Sequence, residues 1–466
     1  MGSNRPLMDQ LFESDILLTS RQMKAIVLAE AEKKSARRRR VKRKVITGGV
    51  YRWPAAPIPY SFREPEKKWR VLIQEGLKLW KERLVCVFER TDQAKIGSNS
   101  SKAGCYSSVG RTGGNQKISI GLGCEDKGIV SHEVGHSLGF WHEQSRPDRD
   151  KYIHLDDQYI AGGTEGNFAK RSDLEIDGMG LPYDLGSVMH YGPNAFTTDW
   201  DHITIEVPTY DWPENWSSFI DVKQINRLYC HQTCAGTPVK CENGGYANPN
   251  DCMQCNYLYY QPHFLFRQMS TWSRSPSCNL VQPSETICGG DLQASGVWQH
   301  LTHKGKRKCI WRIKADSRAR IRFILDSVNY KCDSTCKSFV EIKHNSDFQQ
   351  IGFRACCEEK NLEVLSEQDE IIVIASTDAE HTTDGAFTLR YIKDSGTSLP
   401  RPPLPAWIPG RENRAFRGVQ GSGGVIEKFI LNAIPRVRDP DKPVESVFSI
   451  LTDYFASSIL GTQRDH

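Results

Sequence analysis

Ser131-His132-Glu133-Val134-Gly135-His136-Ser137-Leu138-Gly139-Phe140-Trp141-His142-Glu143 is the stretch on which the reading of this chain turns. On a helix, His132 and His136 stand one turn apart on the same face, so both imidazoles reach one ion. Glu133 is then set to contact a water held there. Gly139 lets the chain leave the helix through a conformation forbidden to most residues, and a sharp turn returns His142 as a third nitrogen ligand. Three neutral imidazoles leave a zinc ion one open position. The alternatives are three histidines merely facing solvent or core, and a closed structural zinc site. In the second, Glu133 would be an idle buried acid beside the metal.

Working outward, the chain of 466 residues, 38% hydrophobic and 25% charged, is long enough for two to four domains with real cores. Its formal charge of +5 is carried by the first 43 residues, which hold 11 Lys/Arg against 5 Asp/Glu. The run Arg37-Arg38-Arg39-Arg40-Val41-Lys42-Arg43-Lys44 accounts for that excess, so the bulk of the protein calls for no nucleic-acid or anionic-membrane partner. We read the run as a processing site; the bland reading is a solvated or targeting patch. No stretch approaches the roughly 20 apolar residues that span a bilayer. The 15 cysteines all lie between Cys86 and Cys357, which suits disulfide-stapled extracellular domains between cysteine-free ends. Asn99-Ser100-Ser101 and Asn215-Trp216-Ser217 are glycosylation acceptors in keeping with secretion. Met1–Pro6 lacks the apolar core of a secretory signal, and we expect the natural start to be missing from this sequence.

Composition divides the chain into five parts. Residues 1–43, with one helical stretch at Arg21–Lys34, cannot build a large core alone and read as a pro-segment. Residues 44–233 open with Trp69, Leu72, Ile73, Leu77, Trp80 and Leu84 on one helical face and continue into the strand Val85–Phe88. Residues 234–287 are a small cysteine-rich module. Residues 288–393 carry short strands, among them Arg320–Leu325, Phe339–Lys343, Ile371–Ser376 and Phe387–Ile392, predicting a β-sandwich. Residues 394–466 begin as a stiff Pro-containing linker (Pro400–Pro405) and end in a faintly amphipathic piece, Val444–Leu460, with no function we can assign.

Residues 44–233 resemble the astacin family of metzincin zinc endopeptidases. His142–Asp150 is similar to that family's extension of the zinc motif, and Ser187-Val188-Met189-His190-Tyr191 to its Met-turn. The resemblance implies an α+β, two-lobed catalytic domain built around the active-site helix. It implies one Zn2+ held by His132, His136 and His142, with Met189 as the apolar floor and Tyr191 as a mobile fourth protein ligand. Glu133 would act as general base and then acid, and Tyr191 would stabilise the oxyanion as an extended polypeptide is hydrolysed. It pairs Cys86 with Cys230 and Cys105 with Cys124, and makes Gln116–Ile120 the strand lining the cleft. Phe12-Glu13-Ser14-Asp15-Ile16 resembles the family's pro-segment motif, in which Asp15 holds the metal of the latent form; Ser14 stands where glycine is common. A processing protease cutting after Arg43 would free an amine at Lys44, to be buried against Glu143.

Beyond residue 233 the resemblance is modular. Cys234, Cys241, Cys252, Cys255 and Cys278 resemble an EGF-like module that lacks one of its six cysteines. The family's order pairs Cys234 with Cys252 and Cys241 with Cys255, and strands Cys278 as a free thiol or a gene-model error. Cys288-Gly289-Gly290 with Cys309, to which it would be bonded, and Cys332, Cys336, Cys356 and Cys357 resemble a CUB domain of the kind found in nematode astacins. Ser338 stands where many calcium-binding CUB domains have Asp, so no calcium is expected. Two functions follow: a secreted, zymogen-derived endopeptidase acting on extracellular proteins, cuticle or matrix among them, or a catalytically weak binding protein using its CUB and EGF-like modules. The complete ligand set with Glu133 and Tyr191 favours the first. Nothing in the sequence sets an oligomeric state.

Overall fold

The computed structural model describes residues 4–256 and 288–396, apart from short breaks of which the longest are 34–44 and 208–217. Helix α1 (Ser20–Lys33) comes first in the chain. Helix α2 (Lys67–Lys81) buries Trp69, Ile73, Leu77 and Trp80, the face marked by their helical spacing. It packs on α3 (Lys127–Leu138) at Gly76, where a Cβ would lie 2.4 Å from Val130. The Trp80 indole donates to the Ser131 carbonyl at 3.0 Å, tying α2 to the first turns of α3. Both helices lie against a five-stranded sheet ordered Phe88–Arg90, Ile58–Phe62, Ile96–Asn99, Gln116–Ile120, Cys105–Tyr106. Its strands are parallel except for the last, which pairs antiparallel with its neighbour.

That order corrects one expectation. Gln116–Ile120 is an inner strand, and the sheet edge is Cys105–Tyr106, which lies between it and residues 15–17. Ile16 bridges in parallel to Ser107; Leu17 N donates to the Ser107 carbonyl at 2.8 Å, and Ser107 N to the Asp15 carbonyl at 3.0 Å. An edge strand has unpaired N–H and C=O groups, and residues 15–17 satisfy them. Nor do the described residues of the first 43 build a core of their own. Phe12, Ile16, Leu18, Met23 and Ile26 are buried in the same apolar cluster as Val134, Leu138 and Trp141.

After α3 the chain makes little regular structure: turns of 3-10 helix, short two-residue strands and a second apolar cluster of Ile153, Leu155, Phe168, Tyr183, Tyr191 and Ile205. Helix α4 (Phe219–Ile225) closes this lobe, capped by a reciprocal pair in which Ser218 Oγ accepts from Asp221 N and Asp221 accepts from Ser218 N. A hairpin of Tyr246–Asn248 and Asp251–Asn256 follows, stapled by Cys234–Cys252 and Cys241–Cys255.

Residues 289–394 form a β-sandwich. One sheet runs Gly289–Gln293, Cys309–Lys314, Glu370–Ser376, Phe339–Lys343, Phe353–Ala355. The other runs Gln299–Gly305, Gly385–Asp394, Arg320–Asn329, Glu358–Glu359, with Leu362–Leu365 also on Arg320–Asn329. Ile321, Phe323, Leu325, Val340, Ile342, Val373, Phe387 and Leu389 fill the space between them. Cys288–Cys309 closes one edge. Among the described residues no helix is long and apolar enough to cross a membrane.

Helix α3 starts and stops where its residues require. Asp126 caps it by accepting from Gly128 N at 2.6 Å, and Gly139 ends it at φ +112°, its N–H turned back to the Gly135 and His136 carbonyls. Gly139→Ala forces a Cβ into that left-handed conformation and is expected to cost about 1–2 kcal/mol of stability, read from chemical denaturation of the full chain.

Candidate metal centre

Each histidine is aimed by the backbone around it. His132 Nδ1 donates to the Val188 carbonyl at 2.7 Å and His136 Nδ1 to the Phe140 carbonyl at 2.8 Å, so the Nε2 atom of each is the one left to bind an ion. His142, brought round by the Gly139 turn, donates through Nδ1 to Glu13 Oε2 at 2.7 Å. The three rings stand with centroids 4.7, 5.2 and 4.8 Å apart. Asp15 points between them, its carboxylate 3.4 Å from His132 Nε2, 3.5 Å from His136 Nε2 and 3.2 Å from His142 Nε2. One ligand atom from each of the four lies within 4.8 Å of those of the others.

The donor set fits one zinc ion. The Nε2 atoms of His132 and His136 and the Asp15 Oδ1 atom are buried and make no well-formed hydrogen bond, a costly arrangement unless a cation sits among them. Burial takes His136 down to about 4, so its ring is neutral and its lone pair available. Burial works against a charge on Asp15, yet the His142 charge and the three imidazole contacts hold its carboxyl well below the usual range. Glu133, 1% exposed beside this group, is pushed the other way, first by burial and then by the Asp15 charge. Two carboxyl groups in one pocket are thus driven apart in proton affinity.

Met189 is fully buried, and its sulfur packs where a Cβ on Gly135 would be 2.6 Å away, which places it under the helix turn bearing His132 and His136. The Met-turn is fixed by Asp221, which accepts from Ser187 Oγ at 2.7 Å and Val188 N at 2.9 Å. The Tyr191 ring lies 4.6 Å from that of His142, and its hydroxyl donates to the Glu13 carbonyl at 2.7 Å. Glu143 is fully buried and accepts from Asp184 N at 2.8 Å and Arg146 Nη1 at 3.3 Å. Lys44, Arg43, Cys86, Asn215, Cys278, Cys332, Cys336, Cys357 and the tail beyond 396 lie outside the described residues, as does the side chain of Asn99. Cys230 and Cys356 are disulfide-bonded, and Cys105 is joined to Cys124.

Sequence reasoning passed over four residues that hold the N-terminal stretch around Asp15 in place. Glu13 accepts from His142 and forms an ion pair with Arg171 Nε at 3.1 Å; Arg171 also stacks over Phe12 at 4.6 Å. Asn4 bonds the Ser14 and Cys105 carbonyls at 2.9 and 2.6 Å, and Gln22 bonds the Val109 carbonyl at 2.6 Å. An acid two places before Asp15 was a signal for Glu13. Arg171, 158 residues away, offered none.

The comparisons with known proteins agree with this centre. A family model described as Astacin, a peptidase family, matches residues 46–230, and one described as CUB domain matches residues 292–391. Zinc metalloproteinase nas-30 of Caenorhabditis elegans is 50% identical over 475 residues, covering 100% of this chain and 62% of that protein. Zinc metalloproteinase nas-26 of the same nematode is 33% identical over 370 residues, covering 76% of this chain and 85% of the relative. Nas-36 of Brugia malayi is 33% identical over 434 residues, covering 85% and 72%. The chain spans only 62% of the length of nas-30. The fold is that of a zinc metalloendopeptidase. The chain belongs to the astacin peptidase family, with a CUB domain after the peptidase domain.

Glu13→Ala leaves the buried Arg171 with less compensation and removes the His142 acceptor. It is expected to weaken attachment of residues 11–18 by roughly 3 kcal/mol, measured as faster hydrogen exchange at the Leu17 and Ser107 amides in the uncut chain.

Proposed function

We propose that this chain is the latent precursor of a secreted endopeptidase, in which His132, His136 and His142 hold zinc and Asp15 completes its shell until the pro-segment is cut near Arg43. The observation that carries this reading is the Asp15 carboxylate, 3.2–3.5 Å from all three Nε2 atoms. Zinc bound there supplies Lewis-acid polarisation of a scissile carbonyl and lowers the pKa of a water toward about 7.

The protein's own groups do the rest. Glu133 is not a ligand; buried beside the histidines, with burial raising its proton affinity, it takes a proton from the attacking water and passes it to the leaving amine. The Tyr191 hydroxyl, occupied by the Glu13 carbonyl while the pro-segment is in place, becomes a donor for the oxyanion once Glu13 leaves. The cleft edge at Cys105–Ser107 then pairs with an extended substrate backbone as it now pairs with residues 15–17. Removing the pro-segment frees an amine at Lys44, for which the buried Glu143 carboxylate is the partner.

The wider assignment rests on the same logic. Disulfides at Cys105–Cys124, Cys234–Cys252, Cys241–Cys255 and Cys288–Cys309 suit an oxidising, extracellular setting, so the substrates are extracellular polypeptides of matrix or cuticle type. The first-to-third and second-to-fourth pairing at 234–255 supports an atypical EGF-like module between peptidase and CUB domains.

Two substitutions test the reading. Glu133→Ala in the chain trimmed after Arg43 is expected to keep one zinc per chain and lose turnover by about 10²–10⁴-fold or more; activity within tenfold of the parent rejects the assignment. Asp15→Ala in the uncut precursor is expected to give measurable cleavage of an unfolded protein. If it stays silent with its pro-segment intact, steric cover and not metal ligation enforces latency.

A further inference from the structure

In the CUB sandwich the strand Phe339–Lys343 sets Val340 and Ile342 in the core and Glu341 and Lys343 on the opposite, outer face. Charged residues there should be hydrated, yet each is 1% exposed. They are paired: Lys343 Nζ lies 2.9 Å from Glu341 Oε1, and Arg354 Nη2 lies 2.8 Å from Glu341 Oε2. Charges are buried on an outer face only when something covers it.

The loop Asp347–Ile351, folded back over this face, meets the peptidase domain. Lys343 donates to the Gln350 carbonyl on its inner side. On its other side Ile351 packs on Gly186, where its Cδ1 would be 1.7 Å from any Cβ, and Gln350 Nε2 reaches the Tyr183 carbonyl at 3.4 Å. Gln349 packs against Gly244 of the small module, its Cδ 2.2 Å from a Cβ there. Lys223 of α4 bonds both the Gly244 carbonyl, at 2.6 Å, and Gln349 Oε1. Two glycines from two modules therefore have their missing side chains replaced by CUB side chains.

What the loop rests on matters. Residues 183–186 have no strand or helix of their own and lead directly into the Met-turn. Tyr183 Oη and His190 Nε2 are 2.6 Å apart, Asp184 N donates to Glu143 beside His142, and two residues after Gly186 the Val188 carbonyl takes the His132 Nδ1 proton. A segment without ladder hydrogen bonds keeps one conformation only through packed contacts.

We propose that the CUB loop Asp347–Ile351 is a clamp on this segment, with Ile351 and Gln349 as positioning residues that hold the Met-turn, and through Val188 the His132 ring, in working register. The inference rests on the peptidase reading above and gives the CUB domain a role in turnover that does not pass through substrate capture.

The test compares the full chain, trimmed after Arg43, with Ile351→Asp and Ile351→Val. Two measurements are made: kinetics on a peptide of a few residues, too short to reach the CUB domain, and hydrogen exchange of amides 186–191. For Ile351→Asp we expect kcat to fall about tenfold or more, since displacements near 1 Å at a site cost up to about 10²-fold, with KM little changed and those amides exchanging faster. Ile351→Val should restore both. Should Ile351→Asp fail to fold, Ile351→Ala carries the same comparison. Unchanged short-peptide kinetics and exchange overturn the proposal, even if cleavage of large proteins declines, since the CUB domain would then only recruit substrate. If the trimmed parent cleaves nothing, the peptidase reading has failed and the exchange arm still decides the clamp.

Discussion

A carboxylate buried among three imidazoles, those of His136 and His142 buried and that of His132 partly so, is an arrangement that water works against. Taking Asp15 out of solvent costs several kcal/mol, and only close opposite charge and hydrogen bonds offset it. Everything around the centre can be traced to that constraint. The Val188 and Phe140 carbonyls fix the tautomers of His132 and His136. The Gly139 turn brings His142 to the same point, and Met189 fills the space beneath so that no solvent relaxes the site from below. The same desolvation that works against a charge on Asp15 raises the proton affinity of Glu133 next to it. Close imidazole contacts hold the first carboxyl low while burial and the Asp15 charge push the second up, so the two are driven apart.

Residues 13–15 obey the same constraint by a different route. Glu13, Ser14 and Asp15 form a turn in which Glu13 (φ +46°) and Ser14 (φ +66°) are both in the left-handed region. Each such non-glycine residue costs of order 1–3 kcal/mol and persists only where surroundings over-determine it. Here they do. Asn4 holds the Ser14 carbonyl, Arg171 and His142 hold the Glu13 carboxylate, Tyr191 holds its carbonyl, and Ser107 bonds the Asp15 carbonyl and the Leu17 amide on either side of Ile16. Strain is stored at the point where the segment crosses the metal site and is offset at its flanks.

The sequence made the catalytic half legible because its chemistry is local. The i, i+4 spacing of His132 and His136, a glycine three residues on and a third histidine three beyond that are dictated by helix geometry, and so can be seen without the fold. The same holds for the apolar face of α2 and for strands such as Phe339–Lys343, whose bounds follow directly from alternation. Gln116–Ile120 was misplaced at the cleft because an edge strand and its neighbour read alike; pairing, not composition, decides which is outermost. Arg171, Asn4 and Asp221 were invisible for a related reason. Each acts across more than 30 residues on a backbone atom or a charge that only the folded chain brings near.

That contrast bears on how the domains cooperate. The upper lobe, the five-stranded sheet with α2 and α3, is held by ladder hydrogen bonds and two packed helices. The lower lobe, from the end of α3 to α4, has almost none of these and depends on side chains: Arg146 bonded to Glu143, Asp148 and the Pro182 carbonyl, Arg149 to the Gln144 carbonyl, Asp221 to the Met-turn. Buried arginines of this kind specify one arrangement but add little net stability, since their own desolvation is large. A lobe built in this way gains from outside support. Among the described residues it is braced by Glu13, through Tyr191 and Arg171, and by the CUB loop, through Gly186 and Tyr183.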